Sequence, residues 1–323
     1  MIKRNIFIIF CFIAAISTLL IISHAKAQLT TGQDFFVEFT PEYPGANTFV
    51  SGRVGSYSFD INRAEIAWIV NDKVVAMGKN FSFTTGGLGS ETRLDVSVIT
   101  QSGNTFSKSF NFTAAEVDLL WEVASYIPAQ YSGKALPSYQ TSIKVAAIPQ
   151  GMKTPDSNLI YEWKLNDRNL ADSSGIGKKV LNFSSSENDE NSVEITVSNS
   201  DKSITAKNKI LIKTRKPQIL FYEELPLEGL QYQKELGASL SLQKSELTIR
   251  AEPYFFSKRA LEKISWEWTM NDKKIKNQPK PNILNLTMPS NTQGASLIGL
   301  FASNPFNILE RAEKELRINF NNQ

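Results

Sequence analysis

One hexapeptide pattern occurs three times and constrains what this chain can fold into more than any other feature. Trp68-Ile69-Val70-Asn71-Asp72-Lys73 returns as Trp163-Lys164-Leu165-Asn166-Asp167-Arg168, and again as Trp268-Thr269-Met270-Asn271-Asp272-Lys273. Trp68 to Trp163 is 95 residues and Trp163 to Trp268 is 105. A period of that size is the length of a domain, not of a solenoid repeat, so it predicts three separate cores in a row. Ile66, Tyr161 and Trp266 stand two positions before the respective Trp, a period of two that describes a strand with one buried face and turns each indole inward. Asn-Asp then supplies the residues most tolerant of left-handed backbone angles, which predicts a tight hairpin turn with a basic residue on its solvated side.

Around each Trp, short apolar alternations are punctuated by turn residues. In the first stretch they are residues 34–40, 47–54 and 81–83, then the pair 94–100 and 105–112 across Gln101-Ser102-Gly103-Asn104. The second and third stretches repeat that order. From the Trp to the middle of the late strand is 28 residues to Val96, 32 to Ile195 and 30 to Ile298. A core Trp facing a late strand predicts an all-β chain of three tandem immunoglobulin-like antiparallel β-sandwiches. Their spans are residues 28–114, 115–215 and 216–323, joined by the short junctions 113–115 and 213–217.

With these residues in view, a resemblance can be stated. Trp-x-x-Asn-Asp-Lys/Arg is followed about 30 residues on, a domain-internal spacing, by Val96-Ser97-Val98-Ile99-Thr100-Gln101-Ser102-Gly103 or by Val193-Glu194-Ile195-Thr196-Val197-Ser198-Asn199-Ser200. This pattern resembles the PKD-type and related bacterial immunoglobulin-like repeats of exported surface proteins. The whole chain is similar to exported proteins of candidate-phylum bacteria, in which segments such as Tyr131-Ser132-Gly133-Lys134 and Arg250-Ala251-Glu252-Pro253-Tyr254 recur. The resemblance implies the sandwich fold and export, and carries over no catalytic or binding residues.

Residues 1–27 read as a secretory signal: the basic start Lys3-Arg4, the apolar run from Ile6 to Ile22, and Ala25-Lys26-Ala27 as the cleavage site. The same run, left uncut, is at the short end of what spans a bilayer, so membrane contact through residues 6–22 is the alternative. Lys3, Arg4 and Lys26 are the only charges of that segment; removing them from 35 basic residues leaves 32 against 32 acidic ones. A neutral chain of mixed signs argues against a nucleic-acid partner, whose phosphates call for a basic stripe. The one Cys, Cys11, and the one His, His24, also fall in residues 1–27. Residues 28–323 have no thiol or imidazole for nucleophilic catalysis or for the usual zinc sites, and no disulfide, which predicts a non-enzymatic protein with no cofactor.

Four features could carry binding. Glu187, Asp189, Glu190 and Glu194 could offer carboxylate oxygens to Ca2+ from a loop, the plainer reading being a solvated turn. Tyr254, Phe255 and Phe256, near Trp266 and Trp268, could form a stacking platform for a glycan or partner, or else cap the end of the third core. Phe306, Ile308 and Leu309, in a last hairpin where the other domains have polar turns, could form a docking loop or fold back over the core. The Pro- and Tyr-containing insertions 126–137 and 225–237 are placed to pack between domains. The function this predicts is a structural spacer or a protein-binding, adhesive module at the cell envelope. The alternative is a carbohydrate-binding or carbohydrate-active protein using acidic pairs such as Glu223 and Glu224, although neighbours on a strand point to opposite faces. The chain ends without an apolar tail or sorting signal, so retention at the cell is expected to depend on the N-terminal segment or on a partner. N-terminal sequencing of the exported protein should return Gln28 as the first residue; a start upstream of Ile6 would mean a retained anchor.

Overall fold

A computed structural model describes residues 34–70, 72–186, 190–287 and 293–320. Its first stretch contains β1 (Phe36–Thr40), β2 (Phe49–Gly55), β3 (Glu65–Val70), β4 (Lys73–Met77), β5 (Asn80–Thr84), β6 (Glu91–Ile99) and β7 (Thr105–Thr113). These pair as a three-stranded sheet β1-β2-β5 and a four-stranded sheet β4-β3-β6-β7. The second stretch contains β8 (Glu116–Val123), β9 (Ser142–Gln150), β10 (Ile160–Leu165), β11 (Arg168–Asn169), β12 (Gly175–Ile176), β13 (Val180–Ser184), β14 (Glu190–Ser198) and β15 (Thr205–Lys213). It repeats the layout as β13-β9-β8 against β11-β10-β14-β15. The third contains β16 (Gln218–Leu225), β17 (Gly229–Glu235), β18 (Ser239–Leu242), β19 (Glu246–Tyr254), β20 (Ser265–Met270), β21 (Lys273–Lys274), β22 (Ile283–Thr287), β23 (Gly294–Asn304) and β24 (Asn307–Phe320). Its sheets are β17-β16-β19-β22 and β18-β24-β23-β20-β21. Each stretch is thus an antiparallel immunoglobulin-like sandwich, and the three are domains 1, 2 and 3 in chain order.

The three indoles lie where the sequence pattern puts them: Trp68 is 0% exposed, Trp163 1% and Trp268 1%. Each belongs to its own apolar cluster, with Val54 and Val96 around Trp68, Val145 and Ile195 around Trp163, and Phe221 and Leu300 around Trp268. A buried indole N–H needs an acceptor. Trp68 Nε1 donates to Gly78 O at 2.7 Å, Trp163 Nε1 to Lys178 O at 2.9 Å and Trp268 Nε1 to Pro281 O at 2.9 Å. In all three the acceptor is a carbonyl on the segment that crosses from one sheet to the other. The ring fills the core and its N–H pins the crossover.

The Asn-Asp pairs adopt left-handed angles, with φ of 50° and 62° at Asn166 and Asp167 and 47° and 64° at Asn271 and Asp272. Asn71 lies outside the described residues, and Asp72 has φ 62°. The Asn side chain adds something that glycine could not. Asn166 Oδ1 accepts Ser192 N at 2.8 Å and Asn271 Oδ1 accepts Leu297 N at 2.9 Å, while each Asn backbone N–H donates to the carbonyl of the same residue. The side chain therefore extends the ladder to the late strand by one pair.

Trp68 and Trp163 sit opposite Val96 and Ile195, and Trp268 opposite Leu300 on the longer β23. One expectation needs correction. The insertion 225–237 is not wholly inter-domain: it contains β17, and the Leu227 side chain at the hairpin tip is fully exposed. After it, β18 crosses to the other sheet and pairs parallel with β24. That parallel pair departs from an otherwise antiparallel arrangement. Replacing Trp163 by Ala should cost about 3–5 kcal/mol, and by Phe a smaller amount through the unmatched Lys178 carbonyl, about 1–3 kcal/mol. Urea unfolding of the two variants against the parent checks the order.

Candidate functional site

The most elaborate polar structure is the joint between domains 2 and 3, and it is built around one carboxylate. On β24 even-numbered positions face inward, so that Ala312, Leu316 and Ile318 are buried. Glu310 falls in that register and is 1% exposed. The pairing of β24 with β23 jumps from Ser303 opposite Arg311 to Asn304 opposite Asn307, leaving residues 308–310 as a wide bulge that swings Glu310 under domain 2. There Oε1 accepts Ser138 Oγ at 2.8 Å, Ser257 N at 3.0 Å and Thr141 Oγ1 at 3.5 Å, and Oε2 accepts Asn304 Nδ2 at 2.7 Å. Ser138 and Thr141 come from domain 2, the other donors from domain 3. A buried carboxylate is tolerable when its lone pairs are met by oriented donors, and here they are.

Backbone bonds sew the same joint. Tyr126 N donates to Phe256 O at 2.7 Å, Phe255 N to Tyr126 O at 2.8 Å and Lys258 N to Ala124 O at 3.0 Å. Asn307 Nδ2 reaches Tyr139 O at 3.0 Å. Phe255 is held at φ 64°, a costly angle for a bulky residue, in the turn that makes two of these bonds. Beside it Tyr222, Tyr254 and Phe255 form a buried cluster with Ile127 and Leu136 of the domain 2 insertion. Tyr131 packs edge-on against Tyr254, ring centroids 5.5 Å apart. The insertion 126–137 therefore does pack between domains. The joint between domains 1 and 2 is slighter: Ala46 N donates to Glu116 Oε1 at 2.7 Å, Lys153 pairs with Glu91, and Gly151, at φ 73°, sits where a Cβ would come within 2.5 Å of Ala114 O.

The sequence candidates fall into three groups in this geometry. Tyr254, Phe255 and Phe256 are 5%, 6% and 0% exposed and so form no open platform; the domain 2 insertion covers the first two and the core takes the third. Phe306 and Ile308 are 73% and 79% exposed at the hairpin tip, the Phe306 ring lying 5.1 Å from Lys263 Nζ. Leu309 turns into an open cleft of about 580 Å3 at the joint, where Tyr139, Lys216 and Arg311 also line the wall. The hairpin is thus both closure and display: Glu310 closes the joint and Phe306 and Ile308 face outward.

The acidic candidates are committed elsewhere. Glu187 and Asp189 lie outside the described residues. Glu190 and Glu194 are four positions apart on β14, about 13 Å at strand rise, too far to share one ion. Glu190 pairs with Lys213, while Glu194 lies between Lys164 at 3.2 Å and Lys207 at 3.0 Å. Burial pushes the Glu194 carboxyl up, but the two ammonium groups outweigh it and hold it below its ordinary value. Among the described residues no group of three His, Cys, Asp or Glu side chains is placed to hold a metal. Glu223 pairs with Lys244, and Glu224 takes Arg250 in a two-pronged contact of 2.6 and 3.0 Å, so each carboxylate is engaged by its own cation.

Two buried carboxylates, Glu310 and Glu252, are what sequence reasoning missed. The signal for Glu310 was its inward register on a long apolar strand. Glu252 follows Arg250 on the outer face of β19, which would be solvated in an isolated domain; under the insertion it is 6% exposed.

No known family model matches the chain, and no curated protein sequence matches it. Solved structures that do match share its tandem sandwich form. The fibronectin(III)-like modules of Clostridium thermocellum CbhA are 8% identical over 56% of this chain and 94% of theirs, with a TM-score of 0.28. The central fibronectin-III array of RIM-binding protein is 11% identical over 86% and 93%, with a TM-score of 0.29. The three N-terminal domains of the bacteriophage RB49 outer capsid protein Hoc are 10% identical over 90% and 98%, with a TM-score of 0.26. At such scores the chain's own sheet orders and registers carry the assignment: it is a tandem array of immunoglobulin-like sandwiches.

Glu310→Ala leaves Ser138, Asn304 and the Ser257 amide without their acceptor and should destabilise the joint by on the order of 3 kcal/mol; limited proteolysis should then cut within residues 213–217, which the parent resists. Glu252 gives the opposite pH signature to a paired surface carboxylate. Burial, with Glu224 adding to it and Arg250 opposing, raises its carboxyl above the ordinary 4.5. A folded-state pKa raised above the unfolded one gives stability that is present below the unfolded value and lost as pH rises through the folded one. Glu252→Gln should therefore raise the Tm at about pH 8 and leave it unchanged at about pH 4, as read by calorimetry.

Proposed function

We propose that this chain is a non-catalytic exported protein of the cell envelope, of the PKD-type bacterial immunoglobulin-like kind, that spaces and displays a docking surface for a protein partner. The observation that carries this reading is the display of Phe306 and Ile308, 73% and 79% exposed, on a hairpin whose base is fixed by the buried Glu310. Apolar side chains held rigidly in solvent cost little ordering on binding, which is what makes them effective anchors. Next to them lies a concave cleft lined by Tyr139, Leu309 and the charged Lys216, Arg311 and Glu313. Export is supported by the basic start, apolar run and Ala25-Lys26-Ala27 of the sequence, and the non-catalytic role by the lack of any imidazole or thiol in residues 28–323.

The test is the double variant Phe306→Ser, Ile308→Ser, used as a cross-linking bait in intact envelopes beside the parent chain. Both positions are exposed, so its melting temperature should match the parent's. At least one envelope protein should be cross-linked by the parent and lost by the variant; identical capture sets would remove the hairpin from the interface.

A further inference from the structure

The same pole is used for inter-domain contact twice inside this molecule, and among the described residues that of domain 1 is not. In domain 2 the connection from β9 to β10 meets domain 1, through Gly151 and Lys153. In domain 3 the connection from β19 to β20 and the hairpin between β23 and β24 meet domain 2, through Phe255, Lys258 and Asn307. The corresponding elements of domain 1 are residues 56–64 and 100–104, and among the described residues no domain lies over them. They enclose an open cleft of about 380 Å3 lined by Phe59, Asp60, Arg63, Thr100, Gln101 and Ser102.

We propose that this free pole of domain 1 binds a neutral saccharide. The floor is aromatic and fixed: Phe59 is stacked on Phe106, centroids 5.9 Å apart and planes at 12°. Outside the cleft at the same pole, Tyr57 is 92% exposed and its inner face is stacked on Phe36 at 4.9 Å. Phe36 in turn reaches over Gly55, where any Cβ would run into its ring. Tyr57 is therefore an exposed ring supported from below, and Phe59, partly buried against the domain 1 core, lends the cleft an apolar wall. The walls are ordered by their own bonds. Asp60 Oδ1 accepts Asn62 N at 3.0 Å and Asp60 pairs with Arg63 at 3.5 Å, while Thr100 Oγ1 meets Ser102 Oγ at 2.9 Å and accepts Asn104 N at 3.1 Å.

The charges decide the ligand class. The lining holds one carboxylate and one guanidinium, already paired, so the site has no net charge to attract an anion or a cation. What it offers is donors and acceptors of both kinds around an apolar ring face. A pyranose has that complement: one C–H face to lie on Phe59, and hydroxyls to exchange with Gln101, Asp60 and Arg63. A folded protein would need roughly 800 Å2 of complementary surface on each side, and the cleft is a local hollow between two short loops. This site is separate from the hairpin at the domain 2–3 joint, and neither proposal depends on the other.

Isothermal titration of the chain from Gln28 onward with linear neutral hexasaccharides (gluco-, manno- and xylo-configured), and with hexagalacturonate as the acidic counterpart, tests it. At least one neutral hexasaccharide should bind, with Phe59→Ala weakening it about tenfold and Gln101→Ala about threefold. Hexagalacturonate should bind more weakly than the neutral ligand. Gln101 is exposed, so its variant keeps the test valid should Phe59→Ala unfold domain 1. No binding of any neutral hexasaccharide at about 10 mM, tighter binding of hexagalacturonate, or binding untouched by the Gln101 change would each overturn the proposal.

Discussion

The interaction on which the architecture depends is an indole N–H meeting a backbone carbonyl inside a β-sandwich. A Trp ring carries more apolar area than any other side chain, but burying it without a partner for its nitrogen forfeits part of that gain. Trp68, Trp163 and Trp268 resolve this in the same way, each donating to the segment that passes between the two sheets. The ring holds the sheets together and the N–H fixes where the chain crosses. With no cysteine beyond residue 11, no disulfide can take over that task in the sandwiches.

Three similar sandwiches are joined in two different ways. Domains 1 and 2 meet through close backbone approach at Gly151 and a few polar contacts. Domains 2 and 3 share a buried carboxylate, backbone bonds across the boundary and a Tyr/Phe cluster. The Glu310 network is demanding, since each donor turned toward it is left costly if the carboxylate moves away. That demand makes the joint specific. It also accounts for the left-handed Phe255, whose strained backbone is tolerated because its N–H, its ring and the carbonyl of the next residue, Phe256, are all used at the joint. The hairpin that carries Glu310 into the joint leaves Phe306 and Ile308 exposed at its tip.

Much of the fold was legible because sandwich strands write themselves at period two and Asn-Asp writes its own turn. Strands β17 and β18 were harder: β17 lies in an insertion and carries a register shift against β16, and β18, four residues long, pairs with β24 only because the chain has first crossed to the other sheet. At the sites, legibility followed the range of the interactions. Ile308 could be recognised as a departure from the polar hairpins of the other domains, whereas Tyr254 to Phe256 could be read either as a platform or as a cap on the third core, because nothing local tells which domain will cover an aromatic; the core takes Phe256 and the neighbouring domain covers the other two. The acidic residues near β14 looked like a group in one dimension, and Glu190 and Glu194 separate in three because a strand is nearly fully extended.

The sequence by itself determined the number of cores, the inward Trp, the turn chemistry and the absence of thiol and imidazole chemistry after residue 27, since all of these rest on local periodicity and composition. Only the tertiary structure decided which faces remain free. Whether an aromatic is covered, a carboxylate is met by donors or a loop pair stays open depends on residues up to 172 positions apart, as Ser138 and Glu310 are. No local pattern encodes contact over that distance, because it exists only once two finished sandwiches have docked.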